Sequence, residues 1–376
     1  MTPTALAAPL ALPCGAVLAN RIAKAAMSEG YADAAGRPTP RLEALYRRWA
    51  HSGAGLLLSG NIQVDPTHLE RPLNVVVSEA SGSAALARMA AAGASGGMHF
   101  WAQISHTGRQ VDAKINAAPL SASDVEIDVM RGVGFDFARP RAMTEDEIRA
   151  AIDQFAFTAK MVKAAGFTGV QLHAAHGYLL SQSLSPFFNR RADEFGGPIE
   201  NRMKILLAVY RAVRSAVGAK FPVLIKINSR DYLEHGLVPE ETALVCRALQ
   251  DAGIDLVELS GGTMASDPRF SPIRAGRFDA PEREAWFRAD AAVIKAALTV
   301  PVALVGGVRT PQTALALIKE GVCEMIALSR PLIREPGLIA RWQNGDLRPA
   351  TCLSDNLCLT EARSGNGLRC MHEERE

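Results

Sequence analysis

The chain has 376 residues, which suits two or three average domains or one α/β barrel with insertions. At 48% hydrophobic and 21% charged it carries enough apolar material for a large core, which excludes global disorder. Lys plus Arg number 41 against 39 Asp plus Glu, with 6% aromatic residues, so the chain lacks the basic footprint of a nucleic-acid or anionic-membrane binder.

Taken in chain order, the run from Ala5 to Ala19 has the apolar character of a signal-segment core. No Lys or Arg precedes it, Pro9 and Pro13 interrupt it, and Cys14 follows a proline, so a soluble chain is expected. Leu10 to Asn20 reads as a short N-terminal hairpin, a plug for the bottom of a barrel. Eight short apolar runs then predict strands: Arg21 to Ala25, Gly55 to Leu58, His99 to Ile104, Gly169 to Leu172, Val223 to Ile227, Leu256 to Leu259, Val302 to Val305 and Glu324 to Leu328. Helix-period segments succeed most of them, clearest at Glu145 to Ala165, Asn201 to Val217, Pro239 to Asp251, Arg283 to Ala297 and Pro311 to Lys319. Thr144 and Thr310 stand at N-cap positions, the second followed by Pro311.

Repeated βα units with no Pro/Ser-rich linker between them predict an α/β fold, one closed (β/α)8 TIM barrel. Residues 1–376 form one unit on this reading, the barrel at about 21–345 and a C-terminal tail at about 346–376. The segment from His106 to Met143, rich in Pro, Gly and Asp, is an extended loop after the third strand, too long for a mere connector and expected at the active site. After Asp346 the helical pattern stops, and no order is predicted for the polar tail. Six cysteines, Cys14, Cys246, Cys323, Cys352, Cys358 and Cys370, are too sparse for a disulfide framework, which points to a reducing cytoplasm.

In such a barrel the reactive groups sit at the C-terminal strand ends. Gly306-Gly307 after the seventh strand and Ser329-Arg330 after the eighth suit a phosphate clamp, glycine backbone closing on an anion that a guanidinium fork can hold. A tight turn and a surface salt-bridge partner are the plainer alternative. Gln103 and Lys226 are polar residues inside apolar strands. A buried ammonium needs an anion or a carboxylate, and Glu258 is a candidate partner. After the fourth strand come His173, His176 and Tyr178, which read as hydrogen-bond donors to a ligand, as a structural pair, or as zinc ligands. The zinc reading lacks a third ligand, and no H-x-H or H-E-x-x-H accompanies the pair.

These residues carry a resemblance. The run His173-Ala-Ala-His-Gly-Tyr-Leu, the stretch Leu184-Ser-Pro-Phe-Phe-Asn-Arg-Arg-Ala-Asp-Glu-Phe-Gly-Gly-Pro-Ile-Glu-Asn-Arg202, His106-Thr-Gly-Arg109 and Ser329-Arg-Pro-Leu-Ile resemble the old yellow enzymes, FMN-dependent ene-reductases, over nearly the whole chain. The resemblance implies non-covalent FMN with its phosphate in the Gly306, Gly307, Ser329 and Arg330 clamp. It implies that Ala25, Ala26, Met27 and Ser28 line the flavin, with Gly60 after the second strand. Gln103 would hold the pyrimidine edge, and Lys226 would be the cation that stabilises charge gained on reduction. His173 and His176 would bind the substrate carbonyl oxygen, and Tyr178 would donate the proton.

Two departures stand out. Ser28 occupies a place where relatives often carry Cys or Thr, and its hydroxyl is expected to reach flavin O4. Larger relatives of the dienoyl-CoA reductase type hold a 4Fe–4S cluster through four tail cysteines. Here Cys352, Cys358 and Cys370 match three and Asp355 replaces another, so no cluster and no metal are expected, with a labile metal or reactive thiols left open.

The activity implied is NAD(P)H-dependent reduction of the C=C bond of an α,β-unsaturated carbonyl compound in two half-reactions, without membrane or nucleic-acid partners. Two rivals remain at this point: a flavin-free aldolase or isomerase in which Lys226 forms a Schiff base, and a flavin-binding sensor without turnover. NADH against NADPH, the number of subunits in a homo-oligomer and the physiological substrate are open, because loops such as Met130 to Arg139 and Met264 to Arg277 shape the pocket without a readable code.

Overall fold

A computed structural model describes residues 4–78, 82–127, 136–271, 274, 276 and 283–372. Eight parallel strands form the ring: β1 (Ile22–Lys24), β2 (Leu56–Gln63), β3 (His99–Ser105), β4 (Gly169–Ala174), β5 (Val223–Asn228), β6 (Leu256–Ser260), β7 (Val302–Val305) and β8 (Met325–Leu328). Each pairs with its sequence neighbour, and β8 returns to β1 through Ile326 opposite Ile22, which closes the barrel. A ninth strand, Val75–Val76, pairs only with the end of β2. The predicted (β/α)8 barrel is the observed fold, with every expected strand in place.

Helices alternate with the strands: α1 (Pro40–Trp49), α2 (Ser83–Ala94), α3 (Glu145–Ala164), α4 (Lys204–Val217), α5 (Pro239–Asp251), α6 (Arg288–Lys295), α7 (Pro311–Lys319) and α8 (Leu338–Gln343). Thr144 closes a full capping box with Glu147 at the head of α3, and the Thr310 hydroxyl accepts from Thr313 N at the head of α7. Two predicted helices start late. A separate turn, Ile199–Arg202, precedes α4, and α6 begins at Arg288 rather than Arg283.

The bottom of the barrel is apolar and plugged. Leu10–Ala11 pairs antiparallel with Val17–Leu18, and this hairpin packs Leu10, Leu12 and Leu18 against inward-facing Leu56, Leu58, Trp101, Leu224, Leu256 and Met325. The Cys14 amide is tied to Asp255 Oδ1 at 3.0 Å, which pins the hairpin to the start of β6. Trp101 fills the interior only because position 169 has no side chain: a Cβ there would meet the indole at 2.6 Å. The top of the barrel is left for polar groups.

The tail is ordered where no order was predicted. Leu357–Arg363 is helical, the Leu368 amide donates to Glu29 O at 2.7 Å, and the Tyr31 hydroxyl reaches Leu368 O at 3.1 Å. A seven-residue helix with mixed polarity gives little periodic signal, and its docking on the loop after β1 supplies the order. Of the loops expected to shape the pocket, residues 130–135 and 272, 273, 275 and 277 lie outside the described residues.

Candidate active site

The cavity at the C-terminal end of the barrel is built strand by strand. The segment after β1 gives Ala26, Met27 and Ser28, β3 gives Gln103, and β4 with its following turn gives His173, His176 and Tyr178. β5 gives Lys226, and the ends of β7 and β8 give Gly306, Gly307, Ser329 and Arg330. Thus all but two of the expected site residues line one cavity. The exceptions are Ala25 and Gly60, which stand behind it. Ala25 packs in the barrel interior. Gly60 lies inside β2, not after it, at a bulge between Leu58 and Asn61, where its amide donates to Glu29 Oε1 at 2.9 Å. A Cβ on Gly60 would meet Met27 O at 2.3 Å, so glycine here lets the loop after β1 seat against β2.

Below the cavity a polar layer crosses the barrel. Gln103 Nε2 donates to Gln171 Oε1 at 2.6 Å, Gln171 Nε2 donates to Glu258 Oε2 at 2.6 Å, and Glu258 Oε1 faces Lys226 Nζ at 3.1 Å. All four side chains are buried. The Lys226 partner is therefore Glu258, as its place in the sequence suggested. Gln171 was missed, although Val170-Gln171-Leu172 breaks an apolar strand just as Gln103 does.

The fourth strand delivers two neutral imidazoles. Burial, then the nearby His176 and Lys226, hold His173 well below the ordinary imidazole pKa; burial and Lys226 do the same to His176. The Ala175 amide donates to His173 Nδ1 at 3.2 Å, so the neutral ring carries its proton on Nε2 and is a donor there. His176 sits at φ 63°, a left-handed position fixed by its amide donating to Asn228 Oδ1 at 3.0 Å. Its Nε2 lies 2.8 Å from Ser260 Oγ, a cavity residue at the end of β6. The rings of His176 and Tyr178 both stand edge-on to His173, with centroids at 5.1 and 4.8 Å.

At the opposite end two guanidiniums are buried close together. Arg330 is 9% exposed and Arg309, three residues after Gly306, 4%. Burial first and Arg330 second push the Arg309 pKa down to about 10. Arg330 Nη1 reaches the Arg274 carbonyl at 2.8 Å and Asn356 Oδ1 at 2.5 Å, and Arg309 Nη2 the Ser354 hydroxyl at 2.8 Å. Both guanidiniums line the cavity, and a phosphate suits two like charges set side by side there. Arg330 is thus no surface residue. The tail helps to build this end through Ser354, Asn356 and the cavity residue Leu359.

Ser28 lines the cavity, as expected, beside a carboxylate. Its hydroxyl donates to Glu70, which also pairs with Arg71, and both line the cavity. Asp65, His68 and His106 bring their ligand atoms within 4.8 Å of one another, but their hydrogen bonds oppose a metal. His68 Nε2 accepts from Leu120 N at 2.9 Å and His106 Nδ1 accepts from Gly108 N at 3.0 Å. The nitrogens that face Asp65 therefore carry the protons and have no lone pair to give. Cys352, Cys358 and Cys370 line a second cavity beside Arg330, with Asp355 hydrogen-bonded to His372.

Residues 6–347 match the model of the NADH:flavin oxidoreductase / NADH oxidase family. The chain belongs to this family, that of the old yellow enzymes. An NADH-dependent flavin oxidoreductase of Aspergillus parasiticus is 38% identical over 335 residues, 85% of this chain and 74% of that protein. Among solved structures, an old yellow enzyme homologue from Zymomonas mobilis is 25% identical with a TM-score of 0.76, covering 93% of this chain and 95% of its own. A 2-naphthoyl-CoA reductase shares the fold at TM-score 0.87 and 24% identity, over 98% of this chain and 56% of its own. The family's cofactor is FMN and its reductant NAD(P)H, which sets aside the flavin-free aldolase or isomerase. Arg309 and Arg330 suit the FMN phosphate, and Lys226 with Gln103 suits the electron-accepting edge of the ring. Among the described residues, no helix is long and apolar enough to cross a membrane.

Proposed function

We propose that this oxidoreductase reduces the C=C bond of α,β-unsaturated carbonyl compounds with NAD(P)H. The convergence of two neutral imidazoles and Tyr178 on the cavity that Lys226 enters from below supports this reading. Bound FMN would supply the hydride chemistry, accepting hydride from nicotinamide and passing it to the substrate β-carbon. Gly306, Gly307, Ser329, Arg309 and Arg330 would hold its phosphate, Gln103 and Lys226 its pyrimidine edge, and Ala26, Met27 and Ser28 one side of its ring.

His173 donates its Nε2 proton to the substrate carbonyl oxygen, and His176, steadied by Ser260, holds the same oxygen from the other side. These bonds strengthen as negative charge moves onto the oxygen, which is where catalysis gains. Because both rings are neutral, they polarise the carbonyl without protonating it. Tyr178, edge-on to His173 in the cavity wall, delivers its phenol proton to the α-carbon. The chain is read as one FMN-binding unit, barrel and tail together, working in the cytoplasm on a small substrate, with no metal taking part. Anaerobic turnover with cyclohexenone tests the proposal: one C=C bond saturated per NAD(P)H oxidised supports it, and nicotinamide oxidation without a saturated product contradicts it.

A further inference from the structure

Three polar groups converge on one carboxylate in the cavity wall. Glu70 Oε2 accepts from the Ser28 hydroxyl and, at 2.9 Å, from Asn61 Nδ2, while Oε1 pairs with Arg71. Burial alone would raise its pKa, but Arg71 and the hydrogen bonds from Ser28 and Asn61 outweigh that and hold Glu70 below the ordinary range. An ionised carboxylate can only accept, so the proton between Ser28 and Glu70 is the serine's. A serine hydroxyl has one proton and two lone pairs. With the proton committed, lone pairs are all that Ser28 can turn toward the cavity.

We infer that Glu70 is a positioning residue that makes Ser28 a hydrogen-bond acceptor toward the cavity, so that Ser28 binds the N5–H of the reduced flavin and not the C4 carbonyl oxygen. The inference rests on the FMN seating given above. Asn61 is the register partner of Gln103, so Gln103, Asn61, Glu70 and Ser28 succeed one another along one edge of the cavity. On the flavin ring, the pyrimidine edge assigned to Gln103 and Lys226 continues into the C4 carbonyl and then N5. Lone pairs of Ser28 repel the carbonyl oxygen and bare N5, and attract N5 once it carries a proton. Arg71 balances the charge of Glu70, which leaves the polarity of the hydroxyl as the device.

Ring-labelled FMN, with 15N at N5 and 13C at C4, reports both alternatives by NMR in the oxidised and reduced protein. Expected is a shift of reduced N5 in Ser28→Ala and in Glu70→Gln, with oxidised C4 nearly unmoved by Ser28→Ala. A Ser28→Ala change that moves oxidised C4 and leaves reduced N5 in place overturns the inference. Ser28→Ala alone decides if Glu70→Gln does not fold, since it removes one hydroxyl from a half-buried position. Protein that retains no FMN overturns the FMN seating and this inference together, whereas retained FMN with the wrong shifts overturns only the inference.

Discussion

Lys226 on β5 and Glu258 on β6 are register partners, and their side chains meet at 3.1 Å beneath the cavity floor, nearly closed to solvent. The ammonium is thus fixed by a carboxylate that is itself held by Gln171. Replacing Lys226 with Met leaves Glu258 buried without its counter-ion, a loss of about 3 to 5 kcal/mol when a buried pair is broken. Urea unfolding of Lys226→Met should show that loss, and the bound flavin should be harder to reduce. An unchanged flavin potential would remove Lys226 from its electrostatic role.

Arg330→Ala takes away a charge-assisted contact worth about 1.5 to 3 kcal/mol, equivalent to roughly ten- to hundredfold in affinity. FMN should be released on dilution, monitored by its fluorescence. Retention equal to that of the native protein would take the phosphate away from this corner.

Much of this site is legible in the sequence, because polar residues inside apolar strands and glycines or arginines at strand ends are conspicuous in a barrel pattern. Gln103, Lys226, Gly306 and Arg330 stand out that way. Glu70 and Arg71 do not, since they lie in a turn-rich segment where charge is ordinary, and only the fold brings them to Ser28. Ser354 and Asn356 escape notice for the same reason. Lys24 hides inside a predicted strand: it faces outward, buried under α1, its Nζ 4.1 Å from the centre of the Trp49 ring.

The buried histidines fix the sign of one pH effect. His106 is pushed down to about 4, chiefly by burial, and His173 and His176 are also held below the ordinary value of about 6.5. Above that value the rings are neutral in folded and unfolded chains, so they add no pH dependence. As pH falls from about 6.5 toward 4, the unfolded chain takes up protons that the folded rings refuse, and stability drops. Melting temperatures across this window check the prediction. A flat profile would mean that the folded rings titrate normally.

The tail makes a separate prediction. With Asp355 hydrogen-bonded to His372 at the corner where a fourth thiolate would stand, anaerobically purified protein should contain no stoichiometric iron or acid-labile sulfide. About four irons per chain would show that the carboxylate serves as a ligand.

Tyr178→Phe should separate the half-reactions. Flavin reduction by NAD(P)H involves no proton delivered to carbon, so it should stay near the native rate. Reoxidation by an enone should slow by a factor on the order of 100 or more. Equal slowing of both would reduce Tyr178 to a packing role.

The most direct measurement is anaerobic double-mixing stopped flow on the native protein, with NAD(P)H first and cyclohexenone second. The flavin absorbance should bleach on the first mix and return on the second, at a rate that saturates with enone, leaving cyclohexanone as product. A flavin that bleaches but stays reduced under excess enone, recovering only when oxygen is admitted, would contradict the assignment of this site to C=C reduction.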